Sequence, residues 1–161
     1  MKIFCVDPSS SAAGFACFKD DKPLWTKTIH LKGEKILDRL AILIPQVEDM
    51  LEDDIDYIAI ETPYMGISRS TSMKMGQIFG VFCAIFLSNG YSSKDIIEIH
   101  PMTAKKAAGL DHFKNREEGK EGVKQKMERL FPKLEIEDDN ASDALAIGLA
   151  AINHIKENYG K

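Results

Sequence analysis

Two short apolar runs in this chain each end in a carboxylate that is followed, one or two residues later, by a proline. The first run covers residues 2–6 and ends at Asp7; the second covers residues 56–60 and ends at Glu61. Runs of this length and composition predict buried β-strands, and the prolines predict turns behind them. In open α/β sheets the ligand crevice lies at the carboxyl ends of the strands. The chain is therefore predicted to be an α/β protein with an acidic site at that edge of its sheet.

The remaining apolar patterns predict further strands and helices. Segments 13–19 and 24–31 are predicted to form a hairpin, because a turn rich in Asp, with a Lys and a Pro, lies between them. Apolar residues at helical spacing over 34–52 predict an amphipathic helix that is kinked at Pro45. The other predicted elements are a loop at 63–72, a helix at 73–87, a strand at 95–99, a short helix at 102–108, a loop or mobile segment at 109–120 and a helix at 123–130.

The stretch 139–150 predicts a buried helix with a polar entrance. Asp139 or Asn140 is predicted to cap it, because short polar side chains accept the free amide protons of a first helical turn. Asp143 lies on the same side of that turn, and the residues after it are apolar almost all round. Such a group of oxygen donors suits a divalent cation. The alternative is a capped helix with a solvated acidic lead-in.

Length and composition indicate an ordinary soluble protein with one domain over residues 1–161, because 44% of its residues are hydrophobic and 29% are charged. We expect no membrane association, because no apolar run reaches the roughly 20 residues of a membrane-spanning helix. The first residues are typical of a strand and not of a signal peptide. Cys5, Cys17 and Cys83 are predicted to be buried thiols, which indicates a reducing, cytoplasmic compartment.

The charge is distributed unevenly along the chain, although the net charge is only −4. Residues 61–134 carry 12 basic and 8 acidic side chains, whereas residues 1–60 and 135–161 are each acidic by four charges. A basic middle between acidic ends is typical of a protein that binds an anionic partner on one face and a cation at its centre. A random distribution of surface charge is the alternative.

Four short segments in this order resemble one known family. They are IFCVDPS at 3–9, IAIETPY at 58–64, GQIFG at 76–80 and SDALAI at 142–147. Together they resemble the RuvC family of Holliday junction resolvases, within the ribonuclease H-like fold, over essentially the whole chain. The resemblance implies a five-stranded mixed sheet in the order 3-2-1-4-5, flanked by helices, with three antiparallel strands followed by parallel ones. It also implies a homodimeric endonuclease that cuts four-way DNA junctions by paired symmetric nicks.

The resemblance implies that Asp7, Glu61 and Asp143 are the catalytic acids and bind two Mg²⁺ or Mn²⁺ ions. Two cations can stabilise both the attacking and the leaving oxygen of a phosphodiester, and such hard cations need oxygen ligands. The family's fourth ligand, an Asp or His, falls on Asn140. We therefore expect Asp139 to hold or orient the second metal, with Asn140 as a cap or a supporting donor. The predicted metal ligands are Asp7, Glu61, Asp139, Asn140 and Asp143.

The same resemblance implies positions for DNA recognition. Tyr64 falls where the family often has an aromatic residue that probes unstacked bases at the junction centre, while Lys106 and Lys120 fall near basic residues that contact DNA or assist the reaction. Segment 109–120 is longer than in typical bacterial members, and an Asp-Asp-Asn lead-in is similar to that of phage members. The predicted DNA-binding residues are Tyr64, Arg69, Lys105, Lys106, Lys114, Arg116 and Lys120.

The apolar segment 71–88 is predicted to be the dimer interface. Its large apolar residues cover more than one face of a helix, and a small monomer would have difficulty burying all of them. Gly76 and Gly80 would allow a second helix to approach closely. The alternative is that the segment is a central core helix.

Three other classes of protein compete with this interpretation. Actin-like ATPases and sugar kinases share the core fold, but they need glycine-rich phosphate loops, which are missing here, and usually two such domains, for which 161 residues are expected to be too few. The second class is a related nuclease that acts on flaps, RNA–DNA hybrids or single strands, and the sequence distinguishes it poorly from a resolvase. A non-catalytic junction-binding protein is the third, and the intact Asp7, Glu61 and Asp143 argue against it.

Overall fold

A computed structural model of the chain describes residues 1–63, 68–110 and 116–159. Five strands and five helices lie within these ranges. In chain order they are β1 (Lys2–Asp7), β2 (Ala12–Lys19), β3 (Lys22–His30), α1 (Ile36–Met50), β4 (Tyr57–Glu61), α2 (Arg69–Ser88), β5 (Ile96–Ile99), α3 (Pro101–Ala107), α4 (Arg116–Leu130) and α5 (Asp139–Tyr159).

The strands form one mixed sheet in the order β3-β2-β1-β4-β5. Strands β1 and β3 are each antiparallel to β2, whereas β4 lies parallel to β1 and β5 lies parallel to β4. Val6 is paired with Ile60, so Asp7 and Glu61, each one residue further on, end neighbouring strands side by side. The predicted sheet and its strand order are confirmed.

Each face of the sheet carries its own hydrophobic core. Ile3 and Cys5 of β1 pack with residues of α3, α4 and α5 on one face, including Leu145. Phe4 and Val6 face the other way, because side chains alternate along a strand, and they pack against α1 and α2. The same alternation directs Asp7 and Glu61, like Cys5 and Ala59, to the face that α5 covers. The fold thus positions both acids beneath one helix.

Two sequence-based boundaries differ from the structure. Helix α2 begins at Arg69 where a loop to 72 was predicted, and α4 begins at Arg116 where a loop to 120 was predicted. Helix α1 continues through Pro45 as one helix. Glu117 and Glu118 lie in the first turn of α4, where negative charge is favoured by the helix dipole. The loop prediction is therefore wrong from residue 116 onward, while residues 111–115 lie outside the part of the chain that the structure describes.

Helix α2 is only partly covered by the rest of the described chain. Ile78, Phe82, Ile85 and Phe86 are buried in the core, but Met73 is 65% exposed. Among the described helices, α2 alone is long and apolar enough to cross a membrane by length and composition, a test that core helices of soluble proteins also pass. Part of its apolar surface is therefore exposed in the described chain.

Candidate active site

Asp7 and Glu61 form the first half of the candidate site. Each is the last residue of its strand and is half-buried, and neighbouring strands lie about 4.8 Å apart. Both side chains are directed to the same face of the sheet by the pleat. Like charges this close raise each other's free energy unless a cation stands near them. The edge is thus preorganised to attract positive charge.

The start of α5 is brought against this edge by a glycine on β2. Gly14 is the β2 residue paired with Asp7, and its missing side chain leaves room for the backbone of Asn140. A Cβ at Gly14 would lie 2.0 Å from the carbonyl oxygen of Asn140 and 2.4 Å from the carbonyl carbon. Only glycine permits this approach. Asp143, one helical turn beyond Asn140, is half-buried on the same end of the helix.

The residue that caps α5 is Asp138, not Asp139 or Asn140. Its Oδ1 accepts a hydrogen bond from the backbone N–H of Ala141 at 3.0 Å, the cap geometry of a helix whose first residue is Asp139. The Thr28 hydroxyl also donates to Asp138 Oδ1, at 2.7 Å, and Asn140 Nδ2 donates to Oδ2 at 3.1 Å. Burial would raise the pKa of Asp138, but these hydrogen bonds outweigh it and lower the pKa.

Sequence reasoning missed Asp138, because three consecutive residues at 138–140 can all cap a helix. The sequence does not show that Thr28 of β3, more than one hundred residues earlier, donates a hydrogen bond to Asp138. This contact distinguishes Asp138 from its neighbours as the cap. The consequence for the site is that Asp139 is released from capping. Its carboxylate is available to another partner.

That partner is Lys120 of α4. Lys120 Nζ donates to Asp139 Oδ2 at 2.8 Å, and this hydrogen bond contributes to lowering the pKa of Asp139. Burial would lower the pKa of Lys120, but the bond to Asp139 and the charges of Asp143, Asp139 and Asp7 raise it. Because the charges of Asp7 and Asp143 act on the pKa of Lys120, both acids lie near its ammonium. Lys120 is thus a positive group within the acidic site.

The donor chemistry of the site fits a hard divalent cation. Carboxylates and an amide oxygen are the ligands that Mg²⁺ and Mn²⁺ prefer, and a lysine ammonium already stands among them as a cation. Within residues 1–63, 68–110 and 116–159, no group of three or more His, Cys, Asp or Glu side chains is gathered as a finished metal site. The predicted ligand set Asp7, Glu61, Asp139, Asn140 and Asp143 stays a prediction.

The predicted DNA-binding residues are spread over several elements. Arg69 is exposed in the first turn of α2, and Lys105 and Lys106 lie in the last turn of α3. Lys120 lines a groove of about 250 Å³ together with Glu117, Glu121, Lys124 and Asp139. Tyr64 and Lys114 lie outside the described residues, as does the side chain of Arg116.

The mixed 3-2-1-4-5 sheet, with acids at the ends of β1 and β4 and at the start of the last helix, defines a protein of the ribonuclease H-like class. Comparison with known proteins identifies the family within this class. The family of the crossover junction endodeoxyribonuclease RuvC matches residues 3–154. The chain belongs to this RuvC family.

Individual relatives agree with this assignment. The crossover junction endodeoxyribonuclease RuvC of Gluconobacter oxydans (strain 621H) is 31% identical over 96 residues, which are 60% of this chain and 53% of that relative. The chain thus aligns with about half the length of this relative. T. thermophilus RuvC in complex with a Holliday junction substrate has the same fold, with a TM-score of 0.79 at 17% identity over 98% of this chain and 97% of the other. The fowlpox virus Holliday junction resolvase gives a TM-score of 0.60 at 14% identity over 96% and 99%.

Proposed function

We propose that this protein is a metal-dependent endonuclease that resolves four-way or branched DNA junctions by paired symmetric nicks. The observation that carries the proposal is the convergence of Asp7, Glu61 and the start of α5 on one edge of the sheet, in a chain of the RuvC family. A structural relative of the same fold was solved with a Holliday junction substrate. Branched DNA is proposed as the substrate because of the family, and metal-dependent cleavage is proposed because of the clustered acids.

In the proposed site, Asp7, Glu61 and Asp143 hold two Mg²⁺ or Mn²⁺ ions, with Asp139 as a further ligand and Asn140 as a supporting donor. The ions would activate a water molecule and stabilise charge on the phosphodiester oxygens. Asp7 ends the strand between Glu61 and Gly14, so it stands closest to the middle of this ligand set. Glu61 and the first turn of α5 flank it on either side.

DNA binding is proposed to rest on the basic middle of the chain. Lysine and arginine side chains bind phosphates without reading sequence, and this electrostatic contribution weakens as salt is added. Tyr64 is proposed to stack on an unpaired base at the junction centre, for which base stacking contributes about 1–3 kcal/mol. The proposed phosphate-binding residues are Arg69, Lys105, Lys106, Lys114, Arg116 and Lys120.

A homodimer through α2 is proposed to supply the second nick. Small residues recur every four positions on the outer face of α2, and additional Cβ atoms at Gly76 and Gly80 would meet nothing within 4 Å in the described part of the chain. Met73 and Leu87, at the two ends of this face, are 65% and 54% exposed. Small residues let two helices approach closely, and the flanking large ones would then be buried against the second copy.

The proposed location is the cytoplasm of a bacterium or of a phage-infected bacterium, where the DNA substrate lies. The three cysteines are free thiols, and Cys5 and Cys17 are buried. Burial raises the pKa of Cys17 to about 11, so this thiol is unreactive at neutral pH. Free, buried thiols are typical of proteins in a reducing compartment.

The function is tested by incubating the protein with a labelled mobile four-way junction, with and without Mg²⁺, beside Y-shaped, flap and linear duplex controls. Paired nicks at symmetric positions that require Mg²⁺ are expected. Cleavage of flaps alone would indicate a related branched-DNA nuclease. Junction binding without cleavage in either Mg²⁺ or Mn²⁺ would contradict the enzymatic proposal.

A further inference from the structure

Lys120 places a positive charge beside the acidic residues of the candidate site. Its Nζ is 2.8 Å from Asp139 Oδ2, and the charges of Asp143 and Asp7 also act on it. The side chain is 33% exposed and that of Asp139 is 47% exposed, so the pair borders the groove and is open to solvent. An ion pair at this degree of exposure exchanges readily with water or with another ion.

We propose that Lys120 is an internal cation that neutralises the acidic site before a metal binds, and that it competes with the metal for Asp139. The inference rests on the proposed metal site and concerns how that site is entered. An ammonium within hydrogen-bonding distance of a ligand repels an incoming divalent ion and occupies one of its donor oxygens. Metal binding through Asp139 Oδ2 therefore requires Lys120 to leave that oxygen.

The architecture allows this exchange to involve the side chain alone. Val123 and Met127 of α4 are fully buried in the core beneath α5, so the helix that carries Lys120 is held in place. The lysine itself ends in four flexible methylene groups and a compact charge. Once released from Asp139, its ammonium can remain over the groove that it lines and pair with a phosphate of bound DNA. The lysine would thus change partners as metal and DNA arrive.

The first arm of the test measures metal binding without DNA. Mn²⁺ and Mg²⁺ are titrated calorimetrically into the wild-type protein and into Lys120→Met, Lys120→Arg and Lys124→Met. Lys124 lines the same groove and is not part of the pair with Asp139, so its substitution controls for a general loss of positive charge. We expect Lys120→Met to bind metal about two- to tenfold more tightly, while the other two variants bind like the wild type.

The second arm measures thermal unfolding in EDTA, with Asp139→Asn as the partner substitution in a double-mutant cycle. Without metal, Lys120→Met removes the ammonium that is paired with Asp139 and is expected to lower the melting temperature by about 1–4 °C. In the Asp139→Asn background the same substitution is expected to lower it by less than half as much. The difference between the two backgrounds isolates the coupling of Lys120 to Asp139.

Three outcomes would overturn the competition between Lys120 and metal. Metal affinity that is unchanged or weaker in Lys120→Met would show that the lysine does not oppose binding. Equal tightening in Lys120→Met and Lys124→Met would show only a general effect of charge. Equal effects of Lys120→Met on melting in both backgrounds would show that Lys120 does not act through Asp139. By contrast, a wild-type protein that binds neither Mn²⁺ nor Mg²⁺ would overturn the proposed metal site itself, and the competition with it.

Discussion

Replacing Gly14 with alanine tests whether the contact between β2 and α5 sets the geometry of the acidic site. The added Cβ would lie 2.0 Å from the carbonyl oxygen of Asn140 and 2.4 Å from its carbonyl carbon. Comfortable contacts between heavy atoms are about 3.5–4.0 Å, so the two backbones must separate by about 1 Å or more. Neither side can yield by a change of rotamer, because the contacted atoms belong to the backbone.

Both elements also resist this separation. Strand β2 is hydrogen-bonded on both sides, to β1 and β3, and α5 is buried along most of its length. A second close contact lies further along α5, where a Cβ on Gly148 would lie 2.2 Å from the ring of Phe18. Overpacking of this kind costs about 1–3 kcal/mol, and a domain of this size loses about 2–4 °C of melting temperature per kcal/mol. We therefore expect Gly14→Ala to fold and to melt about 3–10 °C below the wild type.

The same displacement moves the first turn of α5 away from Asp7 and Glu61. A misplacement of about 1 Å in a catalytic group can reduce the rate about 100-fold. Junction cleavage in saturating Mg²⁺ is therefore expected to fall about 100-fold in Gly14→Ala at a temperature where the variant is fully folded. The assay combines thermal unfolding, followed by circular dichroism, with single-turnover cleavage of a labelled junction.

Gly76→Ala is the control for loss of a glycine as such. Its added Cβ meets no atom within 4 Å in the described residues of a single chain, and alanine is the better helix former, so the monomer should melt at or above the wild-type temperature. Because Gly76 lies on the proposed dimer face, the comparison is made at a protein concentration at which sedimentation shows both proteins to be monomers. If Gly14→Ala melts within about 1 °C of the wild type and cleaves at the wild-type rate, the contact between Gly14 and Asn140 does not set the geometry of the site.

Four further substitutions test separate parts of the account. Asp7→Asn should abolish metal-dependent cleavage while junction affinity in a gel-shift assay changes little, because binding rests on phosphate contacts; cleavage at the wild-type rate would contradict the assignment. Asp138→Ala removes the cap of α5 and the bond from Thr28, and is expected to lower the free energy of unfolding by about 1–2 kcal/mol in urea titration, whereas an unchanged midpoint would exclude the capping role. Tyr64→Ala should weaken junction cleavage more than duplex binding, and equal losses would indicate a role in folding. Gly80→Leu should shift sedimentation from dimer to monomer at micromolar concentration, and an unaltered dimer would move the interface away from α2.

The sequence predicted the sheet and the positions of its acids because both depend on local patterns. A buried strand that ends in a carboxylate is visible in a few residues, as at Asp7 and Glu61, and the family resemblance then implied the strand order. Most helices were predicted to within a few residues for the same reason. The early start of α4 was missed, because its first turns are charged and contain Gly119, which masks helical periodicity.

What the sequence did not predict depends on contacts between distant parts of the chain. Gly14 is an unremarkable strand glycine until α5, more than one hundred residues later, is placed against it. Asp138 is distinguished from Asp139 as the cap only by Thr28 of β3. Lys120 was predicted to contact DNA, and its pairing with Asp139 required α4 and α5 to be packed together. The assignment of the metal ligands and of the DNA-binding residues remains a prediction.

The candidate site lies on one face of the sheet and the proposed dimer helix on the other, and this arrangement determines the distance between the two sites of a dimer. The acids point to the α5 face, whereas α2 covers the opposite face. In a dimer joined through α2, the path from one site to the other crosses a sheet, two helices and a second sheet. With layers about 10 Å apart, the two sites would stand roughly 30 Å from each other. In the proposed dimer, the two phosphates that are cut together would therefore lie about 30 Å apart, on separate strands of a branched DNA.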